Sequence, residues 1–343
     1  MEEKFKHLVE GSGRILITSH ISPDPDALSS LLLLGATLSL NFSDKDVKLA
    51  LEEKPEDLGY MPGYDGVQYG PVIDALQNYG PDLFILLDGN NYERCSRHDG
   101  QKIREYISQN QVKTIIIDHH QLEGKDSVDL FINNDSPATV QDVYELCFNW
   151  LKLRKPDDAG QIAMTGFYAD TGGFVYVKAG GQKKLFSFAE ELVSNGADIE
   201  LVKNQLESYT DADMEVLSQL AGNVTHSENY TYSFLSDGFI EDWQRGGHSH
   251  LQLQRPTNYF LNNYIRNIGG RSWGFIVYRN ALQGEGYYSV SFRSQGGTPD
   301  VSVIAVKLGG GGHKPAAGAK FEAESLEQAI GIVNDTISSL ALR

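Results

Sequence analysis

The sequence predicts an α/β protein of two domains: a parallel-sheet N-terminal domain, then a smaller α/β domain with a mixed or antiparallel sheet. Three observations carry that prediction. The 343 residues exceed the common size of a single domain. Short apolar or β-branched runs alternate with helical stretches through the first half, as βαβ units require. Three of those runs stop abruptly on carboxylates and imidazoles. In an open α/β sheet, ligands bind beyond the carboxyl ends of the strands, so such endings would meet along one edge.

Taken in order, residues 14–18 (Arg-Ile-Leu-Ile-Thr) read as the first strand, which runs into Ser19-His20-Ile21-Ser22-Pro23-Asp24-Pro25-Asp26. Residues 27–40, with uninterrupted leucines, read as a helix buried on most of its surface. A short strand over 47–51, a Gly/Pro/Asp-rich loop over 55–70 and a short helix over 72–78 follow. Residues 83–87 are a strand ending on Asp88. After a charged helix over 99–109, Thr114-Ile115-Ile116-Ile117 reads as a strand buried on both faces and ends on Asp118-His119-His120. Residues 130–132 form an edge strand, and 137–153 a helix entered from Ser136. Residues 158–169 are helical and close on Asp170-Thr171-Gly172-Gly173. Amphipathic helices over 182–194 and 211–221 complete the first half.

The second half has a different texture. Residues 230–235, 273–279 and 286–293 alternate apolar and polar side chains, as antiparallel strands with one wet face do. A helix over 257–268 lies among them. A helix over 301–308, the run Gly309-Gly310-Gly311-Gly312-His313, a strand around 317–321 and a helix over 325–340 finish the chain. The expected division is a catalytic domain over 1–193, a helical linker over 194–222 and a second domain over 223–343.

Composition narrows the function. Hydrophobic content of 41% and charged content of 22% are those of a soluble globular protein. Cys95 and Cys147 are the only cysteines, which excludes a disulfide framework and fits a reducing compartment. Residues 28–40 are the most apolar segment but too short to span a bilayer, and the N-terminus lacks the apolar core of a signal peptide. A cytoplasmic protein with no membrane partner is expected. Residues 223–343 hold ten Lys/Arg and ten Asp/Glu, so residues 1–222 carry all of the −17 net charge. Long duplex nucleic acid, whose binding is dominated by phosphate neutralisation, is an unsuitable partner for that surface.

The candidate ligands are His20, Asp24, Asp26, Asp88, Asp118, His119, His120 and Asp170. Each alone also reads as turn chemistry, Asp118 as an Asx-turn residue. Together, five carboxylates in one crevice repel one another unless cations neutralise them. Such a set suits manganese or magnesium better than zinc. Two such ions activate a water and stabilise both oxygens of an in-line phosphoryl displacement, which points to hydrolysis of a phosphate ester or anhydride. The glycine run reads either as a turn or as an anion-binding nest of backbone N–H groups. Arg293 offers a planar fork that matches phosphate oxygens. His248 and His250, with no acidic or Cys ligand set beside them, read as surface loop residues.

The residues His20-Ile21-Ser22-Pro23-Asp24-Pro25-Asp26-Ala27, Asp88, Asp118-His119-His120 and Ala169-Asp170-Thr171-Gly172 resemble the four motifs of the DHH phosphoesterase superfamily. Val290-Ser291-Phe292-Arg293-Ser294, Asp300 and Gly309 to His313 resemble its DHH-associated substrate domain, so the resemblance covers essentially the whole chain. It is strongest to the nanoRNase and pAp-phosphatase branch, also described as exopolyphosphatase-related. The resemblance implies that His20, Asp24 and Asp88 hold one divalent ion and that Asp26, Asp88, His119 and Asp170 hold another. Manganese is the first choice, with magnesium or cobalt as alternatives. It further implies that Asp118 orients the imidazoles, that His120 contacts the scissile phosphate, and that Arg293, Ser294, Gly309, Gly310, Gly311, Gly312 and His313 bind substrate. The active site would lie in the interdomain cleft, and a homodimer is the candidate assembly. Its substrates would be short oligoribonucleotides or small phosphorylated nucleotides such as pAp. Alternatives are a pyrophosphatase or exopolyphosphatase, a cyclic dinucleotide phosphodiesterase and, from another class, a catalytically inactive nucleotide-binding protein. The Arg-Lys-Lys cluster of pyrophosphatase relatives is absent from 223–343, and Val175 stands where many relatives carry a basic residue.

Overall fold

The computed structural model describes residues 1–120, 126–176, 180–284 and 286–340, and the chain divides into two compact units, Met1–Ser208 and Tyr209–Arg343. In the first unit the strands are β1 (Arg14–Ser19), β2 (Asp46–Leu51), β3 (Gln68–Tyr69), β4 (Leu83–Leu87), β5 (Lys113–Ile117) and β6 (Leu130–Ile132). They pair in the order β3-β2-β1-β4-β5-β6, and every pairing is parallel. That order reverses direction between β1 and β4, where connections leave to opposite sides and open a crevice at the strands' carboxyl ends.

The two-residue period of a strand sorts these apolar runs between two cores. Ile15, Ile17, Leu83, Ile85, Leu87, Ile115 and Ile117 face one cluster, whereas Leu16, Phe84, Leu86 and Ile116 face the other. The first cluster is closed by α2 (Pro25–Asn41), α5 (Thr139–Tyr144, continued by a wider turn over Glu145–Trp150), α6 (Ala159–Asp170), α7 (Gln182–Ser194) and α8 (Ile199–Glu207). Phe5 and Val9 of α1 (Glu2–Glu10) also enter it. The second is closed by α3 (Val72–Tyr79) and α4 (Gly100–Asn110).

The second unit contains α9 (Asp211–Gly222), β7 (Thr225–His226), β8 (Thr231–Phe234), α10 (Asp237–Arg245), α11 (Gln254–Asn263), β9 (Trp273–Arg279), β10 (Tyr287–Ser294), α12 (Ser302–Lys307), β11 (Gly311–His313), β12 (Ala316–Glu322) and α13 (Leu326–Ser339). Its sheet runs β11-β12-β10-β9-β8-β7. It is mixed, because β8 pairs parallel with β9 while the other pairings are antiparallel. The α10–α11 segment makes the crossover that a parallel pair requires. Consequently β9 is buried along nearly its whole length and does not have the wet face its sequence suggested. Phe275 and Val277 pack into one core, and Ile276 and Tyr278 into another.

Residues 194–222, expected as a linker, divide between the units. Val202 of α8 is buried in the first unit's core, whereas Val216 and Leu220 of α9 are buried in the second's. The helix expected from residue 137 begins at Thr139, with Pro137 ahead of it. His250 is buried against Tyr278 rather than on the surface, and His248 stacks on Trp243. Among the described residues, no helix is long and apolar enough to cross a membrane.

Candidate metal centre

The ends of β1, β4 and β5 deliver their polar residues to one edge. After β1, Ser19 Oγ donates to the Leu87 carbonyl at 2.7 Å and Ile21 N–H to the Arg94 carbonyl at 2.7 Å, so the His20 loop is tied to the neighbouring strand's loop. Asp24 caps α2, accepting from Ala27 N–H at 3.0 Å, and Asp26 lies in that helix's first turn. Asp88 turns off β4 with φ of 51°, a left-handed conformation that aspartate tolerates better than most residues.

Asp170 arrives from outside the sheet, as the last residue of α6. One turn earlier, a Cβ on Gly166 would fall 2.9 Å from the Asp26 Cα, so glycine is what lets α6 lie close to α2 and bring Asp170 toward Asp26.

The structure brings all eight predicted side chains of this unit together. Three sets have ligand atoms within 4.8 Å of one another: His20, Asp24 and Asp88; Asp26, His119 and Asp170; and Asp88, Asp118, His119 and His120. His20 Nε2 lies 3.4 Å from Asp88 Oδ2 and 3.8 Å from Asp24 Oδ1. His119 Nε2 lies 3.6 Å from Asp88 Oδ1 and 3.5 Å from Asp170 Oδ2. Asp88 therefore stands between two imidazoles, one toward each of its oxygens. Asp118 Oδ1 accepts from both the backbone N–H and the Nδ1 of His120, each at 2.9 Å.

The electrostatics describe a site short of positive charge. Burial, then repulsion from Asp88, Asp170 and Asp24, pushes Asp26 well above the usual carboxylate range. Burial, then Asp24 and Asp88, raises Asp170 to about 8. Burial would lower His20, but hydrogen bonds with Asp24 and Asp88 outweigh it and hold the imidazole at about 10. The hydrogen bond to Asp118 raises His120. Asp118 Oδ2 is buried without a partner. An oxygen-rich, imidazole-containing cluster whose carboxylates are forced toward protonation fits divalent cations, which would replace those protons.

Sequence reasoning missed the far wall of this site. The first N–H groups of α5 find their acceptor on Asp26, 113 residues earlier: Thr139 N–H donates to Oδ2 at 2.6 Å and Val140 N–H to Oδ1 at 2.9 Å. A helix N-terminus thus holds a fully buried carboxylate. The only local signal was a threonine near a helix start.

The remaining candidates lie in the second unit. Arg293 donates to the Phe292 carbonyl at 2.9 Å and to Asn258 Oδ1 at 3.0 Å. Ser294 donates through Oγ to the Lys314 carbonyl at 3.4 Å. The N–H groups of Gly309 and Gly310 close the end of α12 on the Val306 and Ala305 carbonyls, so these two do not form an open anion nest. Gly311, Gly312 and His313 form β11. Gly310 and Gly312 answer to packing: a Cβ would fall 2.1 Å from the Gly318 carbonyl oxygen at the first and 2.6 Å from the Ala317 Cα at the second.

A carboxylate and imidazole cluster at the switch point of a parallel sheet fits a phosphoester hydrolase that depends on divalent cations. The chain carries a DHH domain and a DHHA1 domain: residues 14–169 match the DHH family N-terminal domain and residues 261–339 the DHHA1 domain. It is 25% identical to the bifunctional oligoribonuclease and PAP phosphatase NrnA of Mycoplasma pneumoniae, over 97% of this chain and 95% of that one. It is 26% identical to the protein of the same name from Bacillus subtilis, over 90% of this chain and 89% of that one. The crystal structure of an exopolyphosphatase-related protein from Bacteroides fragilis has the same fold, with a TM-score of 0.80, 22% identity and coverage of 98% of this chain and 95% of that one.

Proposed function

We propose that the protein is a dinuclear-metal phosphoesterase that hydrolyses very short oligoribonucleotides and pAp-like nucleotides. The observation that carries this reading is the placement of Asp88 between His20 and His119, its Oδ2 3.4 Å from one imidazole and its Oδ1 3.6 Å from the other. His20, Asp24 and Asp88 would hold one ion, and Asp26, Asp88, His119 and Asp170 the other. When bound, two divalent cations, manganese first, supply an activated water and positive charge for the phosphoryl oxygens.

The chain's own residues prepare that site. His20 Nδ1 lies 2.6 Å from the Ile21 carbonyl, which only accepts, so the ring proton sits on Nδ1 and Nε2 is left as the ligand atom. Asp118 holds His120 by Nδ1 and favours its protonated form, so His120 Nε2–H is available to a scissile phosphoryl oxygen. Arg293, Ser294 and the segment from Gly311 to His313 would bind substrate groups remote from the reacting phosphorus, while Gly309 and Gly310, whose N–H groups close α12, would shape that segment. The acidic first half supports exclusion of long duplexes. Relatives named for oligoribonuclease and PAP phosphatase activity along nearly their full length support the substrate class.

Assay of the purified protein with manganese tests this directly. A labelled RNA dinucleotide and pAp are expected to be turned over, with inorganic pyrophosphate and cyclic di-AMP far behind. Faster hydrolysis of pyrophosphate, or of long single-stranded RNA, would overturn the substrate assignment.

A further inference from the structure

The hydroxyl of Thr139 has no duty to its own helix. Ala138 occupies the capping position of α5 and Thr139 is the first helical residue, so its side chain does not cap. It is fully buried and bonded on two sides. Oγ1 accepts from the backbone N–H of His119 at 3.2 Å and lies 3.0 Å from Asp88 Oδ1. A hydroxyl carries one proton, and an N–H cannot receive it, so that proton points at the carboxylate.

The direction of the chain of bonds is therefore fixed: His119 N–H to Thr139 Oγ1–H to Asp88 Oδ1. It joins His119, in the loop after β5, to Asp88 after β4, the carboxylate that the two proposed ligand sets share. The hydroxyl also takes up charge density on the Asp88 oxygen facing His119, while Oδ2 is left toward His20. The backbone N–H of the same residue holds Asp26. One residue thus orients a carboxylate of each ligand set.

We infer that Thr139 is a positioning residue for the metal centre, setting the rotation of Asp88 at which it serves both sets. This rests on the dinuclear reading given above. Hydrogen-bond partners of metal ligands characteristically change affinity or activity by about 10- to 100-fold when removed.

Manganese affinity, read by competition with a metallochromic chelator and so without substrate, tests the role. Thr139→Val keeps the shape and removes the hydroxyl. It is expected to bind manganese roughly 10- to 100-fold more weakly and to lose kcat on an RNA dinucleotide more than it raises KM. Thr139→Ser, which keeps the hydroxyl, is expected to restore both. Should the valine variant fail to fold, Thr139→Ala against Thr139→Ser gives the same comparison. Unchanged manganese affinity in a folded Thr139→Val or Thr139→Ala, or a serine variant as impaired as either, overturns the role. Failure of the reaction assignment looks different: wild-type protein would bind manganese yet leave short oligonucleotides intact.

Discussion

At the scale of single residues, Asp88 is the side chain whose loss reaches furthest, because its two oxygens face different imidazoles. Asp88→Asn preserves the left-handed backbone, which asparagine also tolerates, and removes the charge. Metal content by atomic absorption should fall below that of His20→Ala, and turnover should be lost. Equal metal content and equal residual activity in the two variants would argue against a shared carboxylate. A second expectation concerns protons. With His20 held at about 10 and Asp170 at about 8, both carry a proton at pH 7 in the absence of a cation. A cation requires Asp170 as carboxylate and His20 with Nε2 bare, so loading must release protons and apparent affinity must rise with pH through this range. Calorimetric titration of manganese at pH 7 in buffers of different ionisation enthalpy should therefore give buffer-dependent heats. Identical heats would show that neither group gives up a proton.

At the scale of elements, the contact of α2 with α6 decides where Asp170 sits. In an unconstrained helix, Gly→Ala is worth about 1 kcal/mol in favour of alanine. At Gly166 the new methyl would meet the Asp26 Cα at 2.9 Å and the Ser29 Cβ at 2.9 Å, neither of which is a flexible side-chain end. Overpacking of that kind costs about 1–3 kcal/mol, so it outweighs the propensity gain. Gly166→Ala should melt at a lower temperature than wild type and bind manganese more weakly, as α6 carries Asp170 away from Asp26. A variant with a raised melting temperature and full manganese affinity would show that the helices relax at no cost to the site.

At the scale of the whole molecule, two units with separate cores divide the expected labour between metal chemistry and substrate capture. Losing one charge-assisted contact costs about 1.5–3 kcal/mol, or roughly ten- to two-hundred-fold in affinity. Arg293→Ala should accordingly raise KM for a dinucleotide while leaving metal content intact. kcat will fall as well where remote binding energy is used for orientation. Hydrolysis of bis-p-nitrophenyl phosphate, which lacks the remote groups, should change far less. Equal losses on both substrates, with metals retained, would remove Arg293 from a substrate-binding role.

The sequence by itself determined the strands, because runs such as Thr114-Ile115-Ile116-Ile117 state their burial locally, and it determined which residues stand at their ends. His20, Asp88 and His119 were legible for that reason. It also determined most helices, though α1, α8 and α10 went unread, and the two-residue β3 and β7 were too short to show a pattern. What only the tertiary structure decided were relations between residues distant in the chain. The parallel pairing of β8 with β9 follows from the path of the intervening helices, not from the alternation within either strand. The glycines at 310 and 312 are demanded by the approach of β12. The start of α5 is fixed by a carboxylate 113 residues away, and the Thr139 hydroxyl faces Asp88 across 51 residues. Local pattern reports how a residue suits its own element; a hydrogen bond between elements has no periodicity to report it, so Thr139 became visible only when the chain had folded.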